Sequence, residues 1–167
     1  MSHRTLLHLI GAGALTLAGF FWLSWRGPTP VMRGAEALDI AVPFWYMILA
    51  FPFFGVLLAE SWLERQSAAG RILLAQTVVI FLISAARLAL HIPVSGHVLL
   101  LSFFLLWSMM RYEQPYLTEF LLALGALALV LYTKVFVWQD AMTAALGVAL
   151  ALVIRWAGQK FLSGEER

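Results

Sequence analysis

The residues able to do chemistry fall in two short stretches of an otherwise apolar chain. Arg87, His91 and the triplet Ser95-Gly96-His97 make the first, and Thr133, Lys134 and Asp140 make the second. Ser95 is a residue type that caps a helix N-terminus, Gly96 lets a ligand approach the backbone, and first-turn N–H groups with the helix dipole attract an anion. His97 adds a donor that titrates near neutral pH and can serve as a general acid toward a leaving oxygen. Arg87, Ser95, Gly96 and Lys134 are therefore the candidate phosphate-binding residues. His97 and His91 are the candidate catalytic ones, and Asp140 is a structural charge partner for Arg87 or Lys134. A plainer reading stands beside this one: Arg87 and Lys134 snorkel to a membrane interface as anchors, and Ser95 merely starts a helix.

These residues must be positioned by membrane helices. Of the 167 residues 62% are hydrophobic and 12% charged, and a mean hydropathy of +0.88 exceeds what a water-soluble domain can bury. The expectation is an all-α, polytopic membrane helix bundle forming a single domain over residues 1–167, with about six spans of about 20 residues each. The apolar runs place them at about 6–25, 44–62, 72–90, 95–111, 116–132 and 141–157. The first run is too long for the apolar region of a signal peptide and lacks a small-x-small cleavage site. The stretch Arg26 to Pro43, with Pro28, Pro30 and Gly34, reads as an external connection, and Arg111 to Pro115 as a polar turn.

Charge sets the expected orientation. With the N-terminus inside, seven of the eleven lysines and arginines (Arg4, Arg65, Arg71, Arg111, Arg155, Lys160, Arg167) fall on the cytoplasmic side and four (Arg26, Arg33, Arg87, Lys134) outside, as positive-inside retention requires. Both termini are then cytoplasmic, in a membrane of the bacterial inner type. All seven tryptophans lie near predicted helix ends, where an aromatic belt belongs.

In this order the motifs resemble the type 2 phosphatidic acid phosphatases, a six-helix superfamily with three outer-face motifs: Lys-x6-Arg-Pro, Pro-Ser-Gly-His and Ser-Arg-x5-His-x3-Asp. Val94-Ser95-Gly96-His97 corresponds to the second, at the start of the fourth helix. Arg87 alone represents the first, since Ile80 replaces its lysine and Leu88 its proline. Thr133-Lys134 and Asp140 resemble the third, shortened, with Phe136 where the nucleophilic histidine belongs. Phenylalanine has no lone pair to attack phosphorus. The resemblance thus implies binding of a phosphate-bearing lipid at the outer face, with slow or no hydrolysis and no cofactor, and with His91 as the nearest replacement nucleophile.

Two other classes compete. A non-enzymatic membrane subunit or transporter would use the same polar residues for helix packing, for a membrane-protein partner or for homo-oligomer contacts. A metal-assisted enzyme would use His91 and His97 with Asp140, Asp39 or Glu36, but His-x5-His across a proline is not a standard ligand spacing. Bis-histidine haem ligation fails because His8 lies at the opposite end of the predicted bundle from His91 and His97. Gln76, Thr77 and Ser84 in the third helix do not titrate, so they read as helix-helix hydrogen bonders, and Glu119 is a further buried-polar candidate. No basic run is dense enough for nucleic acid. No cysteine is present for disulfide, thiolate or iron–sulfur chemistry.

Overall fold

The computed structural model describes residues 3–26, 49–90, 92–109, 117–137 and 139–165. Most of the Arg26–Pro43 connection, the Arg111–Pro115 turn, Glu36, Asp39 and His91 lie outside them. Six α-helices are present among the described residues, and no strand: α1 (His3–Arg26), α2 (Phe51–Leu63), α3 (Ala68–Leu90), α4 (Gly96–Met109), α5 (Leu117–Tyr132) and α6 (Ala141–Glu165), with a π-helical turn, Thr133–Val137, continuing α5.

The helices run alternately up and down. Arg4 at the start of α1 meets Glu64 just past the end of α2. The Gln76 side chain early in α3 meets Ile154 late in α6, and the starts of α4 and α6 touch through Ser95 and Thr143. The start of α1 and the end of α6 consequently lie at the same end of the bundle.

The centre is α4, apolar on every side, as a helix enclosed by others must be. Val98, Leu99, Leu101, Phe103 and Phe104 are fully buried. Phe104 packs against Phe53 of α2 and Trp107 of its own helix, with ring centroids 5.1 and 5.6 Å apart. The outer helices turn small residues inward: Ala123, Ala126 and Val130 on α5, and Ala144 and Ala151 on α6. Their leucines point outward, with Leu121 56% and Leu122 63% exposed. An outward face of this kind suits lipid rather than water.

Among the described residues three helices are long and apolar enough to cross a membrane, over Ala68–Arg87, Leu117–Phe136 and Ala141–Leu162. The sequence led us to expect six. The 13 residues of α2 and the 14 of α4 rise only about 20 Å each, against a hydrocarbon core of about 30 Å.

Boundaries also move, for local reasons. α2 begins at Phe51, behind a turn at Leu49–Ala50 and with Pro52 in its first turn, rather than at Phe44. α3 starts one turn early because Ser67 Oγ accepts the Gly70 N–H at 2.9 Å, an N-cap at the standard spacing. α6 runs eight residues beyond the expected Ala157, to Glu165. No proline interrupts that stretch, and the Lys160 ammonium lies over the Trp156 ring at 5.8 Å. The break expected from Thr133 is instead π-helical to Val137.

Candidate functional site

At one end of the bundle the structure joins most of the residues singled out by type and spacing. Arg87, in the last turn of α3, sends Nη1 to the Val94 carbonyl at 3.1 Å. Val94 belongs to the Pro93 turn that leads into α4. Ser95 then donates its N–H to the Thr143 carbonyl of α6 at 3.0 Å, and its Oγ receives the Val98 N–H at 3.5 Å. Across this contact, Thr143 Oγ1 donates to Asp140 Oδ2 at 2.6 Å, and Lys134 Nζ lies 3.1 Å from the same oxygen. Arg87, Ser95, Gly96, Lys134 and Asp140 thus form one connected line across the ends of α3, α4, α5 and α6.

Its electrostatics follow from those contacts. Burial pushes the Asp140 carboxyl up, but the Thr143 and Lys134 hydrogen bonds and the Lys134 charge outweigh it and hold the group below its ordinary value. Asp140 pairs with Lys134, and Arg87 reaches the Val94 carbonyl. Arg87 also packs against the α4 entrance: a Cβ at Gly96 would lie 3.4 Å from Arg87 Nε and 3.0 Å from Ser84 Oγ.

The predicted cradle is more enclosed than the sequence implied. Ser95 is fully buried against Thr143 of α6 and Gly96 is buried against Ser84 and Arg87 of α3, while Arg87, His97 and Lys134 stay partly exposed. His97 sits in the first turn of α4. His91 lies outside the described residues. Phe136 is turned outward, 70% exposed, with its ring against Tyr132 at 5.3 Å. Among the described residues no group of three or more histidines and carboxylates is arranged to hold a metal ion.

The opposite end carries a second polar cluster that reading the sequence missed. His8 of α1 is 4% exposed and Glu60 of α2 is wholly buried. His8 Nε2 lies 2.6 Å and Arg4 Nε 3.1 Å from the same oxygen, Glu60 Oε1. Arg4 Nη2 reaches Glu64 Oε1 at 3.1 Å, and His8 Nδ1 faces Glu119 Oε1 of α5 at 3.7 Å. The signal was present in the spacing: Arg4 and His8 stand four apart on one helix, Glu60 and Glu64 four apart on the next, so each pair shares a face.

Comparison with protein-family models, with curated proteins and with solved structures gives no match for this chain.

Proposed function

We propose that this chain is a multi-pass membrane protein, similar to the type 2 phosphatidic acid phosphatases, that binds the phosphate of a lipid headgroup at the α4-entrance end and does not turn it over. One observation carries the reading. The Arg87 guanidinium packs against Gly96, at the positive end of the α4 dipole. An anion seated there would meet both the guanidinium and the first-turn N–H groups of α4. His97 and Lys134 add donors on the exposed rim. Phe136, exposed and without a lone pair, supplies no nucleophile, so binding is separated from hydrolysis.

The distribution of lysine and arginine supports an orientation in which this end is external and both termini are cytoplasmic. The chain has no native cysteine, so cysteines placed singly at Gly34 and Gly164 report this directly. An impermeant thiol reagent should label Gly34→Cys in intact cells and spare Gly164→Cys; the opposite pattern reverses the assignment.

The functional test is binding of phosphatidic acid and an isoprenyl diphosphate to purified protein in lipid nanodiscs, with phosphate release measured alongside. Headgroup binding that weakens in Arg87→Ala and His97→Ala without release supports the reading. Fast release abolished by His91→Ala would identify an active hydrolase instead. Absence of binding favours a non-enzymatic membrane subunit, a reading supported by one contact: Lys134 is already engaged with Asp140.

A further inference from the structure

We propose that the turn between α2 and α3 binds the headgroup of an anionic phospholipid through Arg65 and Arg71, with Trp62 holding Arg65 at headgroup depth. The turn lies at the end of the bundle opposite the α4 entrance, where Arg4 of α1 meets Glu64. Trp62, Arg65 and Arg71 are all exposed, yet both guanidiniums are tied to the turn itself. Arg65 Nη1 donates to the Trp62 carbonyl at 2.9 Å, and its guanidinium carbon lies over the Trp62 ring, 4.5 Å from the centre. Arg71 Nη1 donates to the Gln66 carbonyl at 3.4 Å.

Each guanidinium spends a single N–H on a carbonyl and keeps the rest of its fork, the donor pattern that matches phosphate oxygens. The indole attracts the Arg65 charge through its face and uses none of those donors. Neither arginine is paired with a carboxylate among the described residues. From Trp62 to Arg71 the only acidic residue is Glu64, and Arg4 Nη2 binds it at 3.1 Å. The turn thus offers two cations to a ligand, while its own carboxylate is engaged with a third. That balance suits a lipid whose phosphodiester charge is uncompensated, and disfavours a zwitterionic one, whose ammonium would lie among cations.

Depth selects a lipid over a soluble anion. The apolar run of α3 begins at Ala68, directly after the turn, and Trp62, 64% exposed, stands in the last turn of α2. In a membrane-spanning chain an outward indole beside the start of an apolar span lies at the headgroup level, where basic side chains attract anionic lipid. The site rests on the membrane reading above and is independent of the phosphate site at the other end.

The test is native mass spectrometry of the full chain in detergent, titrated with phosphatidylglycerol or with phosphatidylcholine of the same acyl chains. Each titration is run on the wild type and on Arg87→Ala, so that lipid held at the α4 entrance is counted apart. Phosphatidylglycerol should bind about tenfold tighter than phosphatidylcholine in Arg87→Ala, and adding Arg65→Gln with Arg71→Gln should abolish the preference. In the otherwise wild-type chain, Arg65→Gln should weaken phosphatidylglycerol more than Lys160→Gln, which removes one charge at the same end away from the turn. Equal affinity for the two lipids in Arg87→Ala overturns the proposal. Equal losses in Arg65→Gln and Lys160→Gln also overturn it, because a diffuse field rather than a site would then attract the lipid. Displacement of the lipid by inorganic phosphate would make the ligand a free anion and remove the lipid assignment. A chain recovered in the soluble fraction of cells would overturn the membrane reading and this site together.

Discussion

Gly11 and Gly55 meet backbone to backbone where α1 crosses α2. A Cβ added at Gly11 would come 2.8 Å from the Gly55 carbonyl oxygen, and one at Gly55 would strike the Gly11 carbonyl group and the Ala12 nitrogen. This crossing holds the two helices close enough for Arg4 and His8 to reach Glu60 from the side. Small residues at helix crossings permit such approach inside membranes, where packing rather than hydrophobic transfer drives association.

Gly55→Ala should therefore destabilise the protein by about 1–3 kcal/mol, the usual range for overpacking. Gly13→Ala is the control, because a Cβ there meets nothing within 4 Å. Thermal melting in detergent distinguishes the two; equal melting temperatures for both variants would remove the crossing from the account of stability.

A second close approach ties α3 to α6. Gln76 Nε2 donates to the Ile154 carbonyl at 2.6 Å, and a Cβ at Gly158 would collide with the Gln76 amide. Gln76→Leu loses one interhelical hydrogen bond, about 0.6–1 kcal/mol in a membrane setting. Gly158→Ala should cost more, because it displaces the same side chain and also overpacks the crossing. If Gln76→Leu rescues Gly158→Ala in a double-mutant cycle, the collision is the cause; additive losses would refute it.

The all-helical class and the alternating helix order were legible in the sequence, because apolar runs separated by prolines and charges leave few other solutions for lipid-facing segments. The line from Arg87 through Ser95 to Lys134 and Asp140 was legible as well, since the topology alone brings those helix ends together. Glu60 was not. The four-residue spacing to Glu64 marks a shared helix face, but which helix that face meets is set by the Gly11–Gly55 crossing, and nothing in the local sequence announces it. The extent of α6 was illegible for a related reason. Arg155, Lys160 and Gly158 read as the end of an apolar span, but a helix continues past its apolar stretch when nothing breaks its hydrogen bonding. The π-turn had no sequence signal; its geometry depends on how the chain leaves α5.

That exit turns on Gln139, whose φ of 51° lies in the left-handed region. The conformation lets the Asp140 N–H return to the Lys134 carbonyl at 2.8 Å, closing the π-turn. Gln139→Gly should be neutral or stabilising by up to about 1 kcal/mol, since it removes the Cβ clash of this region. Gln139→Val should destabilise, because a β-branched residue tolerates positive φ poorly. Melting temperatures in the reverse order would show that the turn is held by something other than its backbone conformation.

Asp140 combines two roles that acid should remove together. Its Oδ1 accepts the Thr143 N–H at 3.4 Å as the N-cap of α6, and its Oδ2 receives Thr143 Oγ1 and Lys134 Nζ. Asp140→Ala should cost about 1 kcal/mol, the usual loss for an N-cap, with little added by an ion pair whose carboxylate is about one-third exposed. The pH dependence follows from the lowered titration of this carboxyl in the folded protein. A group whose folded value lies below its unfolded value, about 3.9 for aspartate, stabilises fully above that unfolded value. It loses its contribution as pH falls through the folded value. The wild-type advantage over Asp140→Ala in detergent melting should therefore be constant from neutral pH down to about pH 4 and shrink below it. Asp140→Asn keeps a capping oxygen but not the charge, so it should recover most of the melting temperature while losing this acid dependence. A difference between wild type and Asp140→Ala that persists undiminished well below the carboxylate range would show that the charge contributes nothing and that side-chain shape alone accounts for the cap.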